Sequence, residues 1–310
     1  MLKSTRLRNG SLNIELLNYG ARIASIYYRD QPVTLSYSNH QDFLADNYFL
    51  GASVGPIANR IAGGRLEVSG KQYQMPQNEF HNSLHSGGIG FDKLYWQQSR
   101  KNQESIEYHC LFDMTTIGLE GLLSCKALYQ LDGDSLRVRY QSSCTADTYI
   151  NITNHVYFNL DGCEDIRDHR YKIYAHSMRE HGADKLPNKE RRVFSKPSEL
   201  ALSASEFSED IDHHFDMNNN DGAIQSEGQL RNYASVSSSN GLTLTVRGNA
   251  PGFQLYTGAG LAAPFLPFSG FCIEPQYAPD AINSEHDYSP ILKADTLLER
   301  TIEYAFKQMD

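Results

Sequence analysis

Apolar and polar residues alternate one for one along much of this chain. A strand turns successive side chains to opposite faces, so each alternating run predicts a strand with one buried side. Such runs include LNIELLN, RIASIYY, SIEYHCLF, LSCKALYQL, SLRVRYQ, YKIYA, LTLTVRG, FQLYTG, GFCIEPQ and RTIEYAF. Hairpins are predicted within RLEVSGKQYQM, at VSGKQY, and at QLDGDSLRV. In both, a glycine follows Ser or Asp and accepts positive φ. Helical periodicity is nearly absent. Residues 198 to 210 read as a short helix or a loop. The stretches 176–195 and 216–232 read as surface excursions from a β scaffold. Many short strands without alternating helices predict an all-β fold, a large antiparallel sandwich or barrel. No linker divides the chain, so residues 1–310 are expected to form a single domain.

One run departs from the simple alternation. NITNHVYFNL, Asn151 to Leu160, reads as a strand whose first face is mostly apolar: Ile152, Asn154, Val156, Phe158 and Leu160. Its other face carries Asn151, Thr153, His155, Tyr157 and Asn159, all able to hydrogen-bond. A face that meets water usually carries Lys, Glu, Arg or Ser instead. This row suits a partly dry site for a neutral polyol, because fixed donors and acceptors reject ligands that leave them unpaired.

Composition narrows the class. Hydrophobic residues make up 40% and charged residues 21% of 310 residues, an ordinary globular balance. The formal charge of -9 is a poor match for nucleic acid or an anionic membrane and fits a neutral substrate better. The first ten residues, MLKSTRLRNG, show no apolar leader, and no run approaches the roughly 18 apolar residues of a membrane span. Five cysteines, Cys110, Cys125, Cys144, Cys163 and Cys272, include no CxxC pair. They read as core residues of a protein in the reducing cytoplasm.

Other stretches carry chemistry. In GFCIEPQYAPDA, Glu274 shares a face with Cys272 and Gln276, and burial at a strand end raises a carboxyl towards the range of a general base. In PGFQLYTGAG, Gln254 and Tyr256 form another polar row. His85 precedes a glycine-rich loop that lacks a phosphate-binding GK[ST]. Asn59 and Arg60 sit among small apolar residues, where an arginine is either a bidentate clamp or a paired structural ion. Asp212, His213 and His214 raise the question of a metal, but adjacent histidines in an extended chain face opposite ways and no third ligand is evident.

Taken in order, NYGARIASI, GPIANRIAGGRL, NSLHSGGIGFDKLYW, NITNHVYFNLDG, DHHF, PGFQLYTG and GFCIEPQYAPDAIN resemble the aldose 1-epimerase (galactose mutarotase) family. The resemblance implies a large antiparallel β-sandwich with an open cleft that holds a hexose. It implies interconversion of the α and β anomers of free aldoses with no cofactor and no metal. By position, Glu274 resembles the general base, His155 the general acid and His85 the second active-site histidine. Arg60, Asp212, Gln254 and, more weakly, Asn59 resemble sugar-binding residues. The chain departs from the family at Ser86, where Gly is usual, at Pro275, where Thr is common, and at Ala259, where Asn is frequent. The alternatives are an epimerase of hexose 6-phosphates, with Arg22, Lys93 and Arg65 as cation suppliers, and a sugar-binding protein without catalysis. A paired-carboxylate glycosidase using Asp212 and Glu274 is a third. The expected partner is a small sugar, with the chain acting as a monomer or homodimer.

Overall fold

The computed structural model describes residues 1–195, 200–202, 211–217, 230–284 and 291–309. It is built from antiparallel sheets, and helical structure among the described residues is confined to 3₁₀ turns. None of these is long and apolar enough to cross a membrane. Four N-terminal strands, Ser4–Arg8, Leu12–Leu17, Arg22–Tyr28 and Gln31–Pro32, form a meander. A nine-stranded sheet begins with Gln97–Lys101, Ser105–Asp113, Leu122–Asp132 and Ser135–Cys144. Leu298–Gln308, Leu242–Gly248, Arg231–Ser237, Arg170–Ile173 and Leu200–Leu202 complete it in that spatial order. A five-stranded sheet runs Pro187–Val193, Ser177–His181, Asp212–Asp216, Gly252–Tyr256 and Cys272–Gln276.

Alternation drives this packing. In Leu122–Asp132 every second residue is buried, and Tyr129 and Tyr140 from the next strand share a buried hydroxyl cluster with Ser53. On the five-stranded sheet, Phe215 stacks on Phe253 at 5.1 Å, and Phe253 meets Tyr233 of the large sheet at 5.4 Å. That face lies in the main hydrophobic core. The opposite face therefore carries the residues between them in sequence: His214, Gln254 and Glu274. The hairpin at VSGKQY is present, with Ser69 and Gly70 both at positive φ between Arg65–Val68 and Lys71–Gln74.

Three expectations change. The stretch 176–195 is a strand hairpin, Ser177–His181 with Pro187–Val193, rather than an irregular excursion. Residues 200–202 of the expected helix or loop are a strand paired with Arg170–Ile173. The rest of 198–210, like most of 216–232, lies outside the described residues. NITNHVYFNL is not one strand. Only Thr153–Asn154 pairs as a ladder, with isolated bridges at Asn151 and Phe158. Its polar side chains mostly brace neighbouring backbone. Asn151 accepts from Tyr277 N–H at 2.9 Å, Asn159 donates to the carbonyls of Cys163 and Ser269, and the Tyr157 hydroxyl donates to the Tyr48 carbonyl.

Two features tie the N-terminal meander to the loops beside it. Gly51 has φ +66, donates its N–H to the His155 carbonyl, and accepts from Ile23 N–H and the Asn154 amide. A Cβ there would lie 1.8 Å from the Ile23 carbonyl oxygen. Gly51→Ala is therefore expected to lose more than about 2 kcal/mol of stability, read from urea denaturation. The second feature is Arg22, fully buried, whose Nη1 donates to Asp46 Oδ2 at 3.0 Å and whose remaining N–H groups reach the Tyr19, Leu50 and Asp92 carbonyls. Asp46 also accepts from the N–H groups of Tyr48 and Leu50, which shapes the loop that carries Phe49.

Candidate active site

The seven residues singled out in the sequence lie in one connected ring of contacts. His155 Nε2 is 3.7 Å from Glu274 Oε1. The His155 and His85 rings meet edge to face with centroids 5.8 Å apart. His85 Nδ1 accepts from Asn59 N–H at 3.1 Å. The Asn59 carboxamide oxygen accepts from Arg60 N–H at 3.0 Å. Arg60 Nη1 lies 4.0 Å from Asp212 Oδ2, and Gln254 Nε2 donates to Asp212 Oδ1 at 2.7 Å. Gln254 in turn sits directly opposite Glu274 in the antiparallel register of Gly252–Tyr256 with Cys272–Gln276.

Local structure explains each placement. His85 and Asn59 take left-handed backbone, φ 47 and 65, and His85 N–H bonds the Asn59 carbonyl. This turn geometry faces the two loops to each other. Ser86 also sits at positive φ, and its hydroxyl bonds both the N–H and the carbonyl of Ile57. Those two bonds, to a residue 29 positions away, hold the non-glycine residue in the strained position. Pro275 is accommodated because Cys272–Gln276 is the edge strand of its sheet, where a missing N–H leaves no ladder bond unmade.

Electrostatics follow from burial. Glu274 is buried, and desolvation, reinforced by the nearby Asp212 carboxylate, pushes its carboxyl well above the ordinary range. Arg60 opposes that shift. Burial pulls His155 down to about 4 and holds His85 well below the usual histidine range. His85 is thus neutral, and because its Nδ1 is an acceptor, its proton is on Nε2. Glu274 Oε2 and Gln254 Oε1 are buried without a hydrogen-bond partner among the described residues. A buried acceptor left unpaired is costly, and hydroxyl donors from a ligand would satisfy both.

Sequence reasoning missed four participants. Phe49 packs its ring on His85 at 4.5 Å and near His155 at 5.9 Å. Glu79 holds Arg60 through two hydrogen bonds, Nε to Oε2 at 2.5 Å and Nη2 to Oε1 at 2.8 Å. Cys272, read as a core residue, places its thiol 3.4 Å from His155 Nδ1. His214 lies opposite Gln254 on the polar face, while His213 stacks on His181 at 4.2 Å. The two adjacent histidines thus point apart, as the extended chain requires. Two of the three cations offered for a phosphate site, Arg22 and Lys93, are engaged elsewhere. Arg22 is buried on Asp46, and Lys93 donates to the Asp46 carbonyl at 2.9 Å.

The chain is similar to known proteins along most of its length. The family model described as aldose 1-epimerase matches residues 3–305. A galactose mutarotase from Rattus norvegicus is 32% identical over 93% of this chain and 88% of its own length. An aldose 1-epimerase from Escherichia coli K12 is 29% identical over 90% and 87%. Among solved structures, an aldose epimerase homologue from C. elegans superposes with a TM-score of 0.91 at 22% identity, covering 100% of both chains. The family model's match over residues 3–305 places the chain in the aldose 1-epimerase family.

Proposed function

We propose that the protein is an aldose 1-epimerase that interconverts the α and β anomers of a free aldohexose by acid–base ring opening and closure. The observation that carries this reading is the approach of His155 Nε2 to Glu274 Oε1, with Glu274 Oε2 unpaired. Mutarotation removes a proton from the C1 hydroxyl and delivers one to the ring oxygen. The ring then opens to the aldehyde, the C1–C2 bond rotates, and closure reverses both transfers. A carboxyl and an imidazole sharing one mobile proton supply one base and one acid. Burial favours the uncharged pair, with that proton on Glu274. Hydroxyls of a bound sugar, bonding Glu274 with Arg60 nearby, favour the carboxylate and move the proton to His155. Glu274 then acts as base at C1–OH and His155 as acid at the ring oxygen. His85, a neutral Nε2–H donor, and Arg60, Asp212 and Gln254 hold the remaining hydroxyls in line. Asn59 acts through the orientation it gives Arg60 and His85.

On this reading the whole chain, 1–310, works as one catalytic domain in carbohydrate metabolism. Its five cysteines are free thiols, the state that a reducing cytoplasm maintains. The test is polarimetry of freshly dissolved aldoses. The wild type should accelerate anomeric equilibration, and His155→Asn should lower turnover by about 10²–10⁴-fold with an unchanged melting temperature. Near-normal turnover in that variant would remove His155 from the acid role. Saturable sugar binding without acceleration in the wild type would make the protein a binder.

A further inference from the structure

We infer that Glu79 sets the charge preference of the sugar site: by neutralising Arg60 it makes the site take uncharged aldoses and turn away anionic ones, both uronates and phosphorylated hexoses. This deepens the aldose reading above and rests on it. Arg60 is a buried cation with a planar fork of donors. Both Nε and Nη2 are held by the Glu79 carboxylate, at 2.5 and 2.8 Å. Only Nη1 faces the site, 3.4 Å from Asn59 Oδ1 and 4.0 Å from Asp212 Oδ2. Two carboxylates therefore flank one guanidinium, and the trio carries a net negative charge. Neutral hydroxyls can donate to Asp212 and accept from Nη1. A sugar carboxylate or phosphate would meet two like charges and a guanidinium whose better edge is already taken.

Glu79 is held in place by its own loop. Asn78 bonds Leu84 twice, accepting from its N–H at 2.8 Å and donating to its carbonyl at 3.1 Å. Glu79 and Asn82 pair across a tight turn in which Phe80 has φ +52, and Asn82 Oδ1 accepts from Gly63 N–H at 3.1 Å. The Ser83–Leu84 segment that follows pairs in register with Arg60–Ile61. The carboxylate and the guanidinium it neutralises are thus delivered by one small unit.

The test compares kcat/KM for a neutral hexose, its C6 uronate and its 6-phosphate at pH 7.5, in wild type, Glu79→Gln and Glu79→Asp. Dissociation constants from ligand-observed NMR with the same three sugars are measured in parallel. The wild type should prefer the neutral sugar by at least about tenfold. Glu79→Gln should raise the anionic-to-neutral ratio by about tenfold or more, and Glu79→Asp, which keeps the charge, should stay within about threefold of wild type. A wild type indifferent to charge would overturn the inference. So would a folded Glu79→Gln with an unchanged ratio, or a Glu79→Asp that shifts the ratio as far as Glu79→Gln. If the wild type accelerates no aldose, the epimerase reading fails, while the binding ratios still decide the charge preference.

Discussion

Glu274→Gln should reduce anomerase turnover by about 10²–10⁴-fold and at the same time make the protein more stable at alkaline pH. The first effect follows because glutamine keeps the shape of the side chain but cannot take a proton from C1–OH. The second follows from linkage. The folded-state pKa of Glu274 is raised by burial and by Asp212. Unfolded, the group titrates near its ordinary value of about 4.3. Below that value both states hold the proton, so the wild type keeps its full stability. As pH rises past it, the unfolded chain releases a proton that the folded protein retains, and wild-type stability falls until the folded pKa is reached. Glutamine does not titrate, so the advantage of the variant over wild type should be smallest near pH 4 and grow towards pH 8. Paired urea melts at those two pH values, with polarimetry on the same samples, check both effects. An advantage that shrinks as pH rises would contradict a buried, raised carboxyl. Turnover equal to wild type would contradict the base role.

Asp46→Ala should cost about 3–5 kcal/mol, because it strands a guanidinium that has no exposure to water. Arg22 keeps its bonds to three carbonyls but loses the carboxylate that accepts from its Nη1 at 3.0 Å. The damage also reaches the site. Asp46 ties down the N–H groups of Tyr48 and Leu50, and Phe49 between them packs on His85. Turnover should therefore fall as well, at temperatures where the variant is still folded. Urea denaturation of Asp46→Ala beside the double variant Arg22→Met, Asp46→Leu separates the causes. The double variant should recover more than half of the lost stability, since a well-packed apolar pair avoids burying an unpaired charge. A single variant that loses less than about 1 kcal/mol would show that Arg22 finds water or another partner.

The fold was legible where burial is one-sided. LSCKALYQL and SLRVRYQ bury every second residue and pair in one long antiparallel ladder, so period-two alternation alone located them. It failed where burial is two-sided. Every residue from Asn151 to Leu160 is buried, so alternation there carries no information about facing: Asn151, Tyr157 and Asn159 turned out to satisfy irregular backbone, and His155 of that row stands at the site. The row in FQLYTG and GFCIEPQ was read correctly because an apolar face, Phe253, Leu255 and Ile273, packs on the large sheet and leaves Gln254 and Glu274 on the other side. Phe49 and Glu79 were not legible. Each acts from a short loop, and its partners, His85 and Arg60, lie 36 and 19 positions away, with no local periodicity to mark the encounter.

Leu298–Gln308 lies in the interior of the nine-stranded sheet, between Ser135–Cys144 and Leu242–Gly248. During synthesis, at about 5–20 residues per second, the strand Ser135–Cys144 therefore leaves the ribosome on the order of ten seconds or more before its neighbour exists. Until then two strand edges in the middle of the future sheet stay open to other nascent chains. This topology delays closure of the large sheet until Leu298–Gln308 has emerged and gives chaperones a defined interval in which to act.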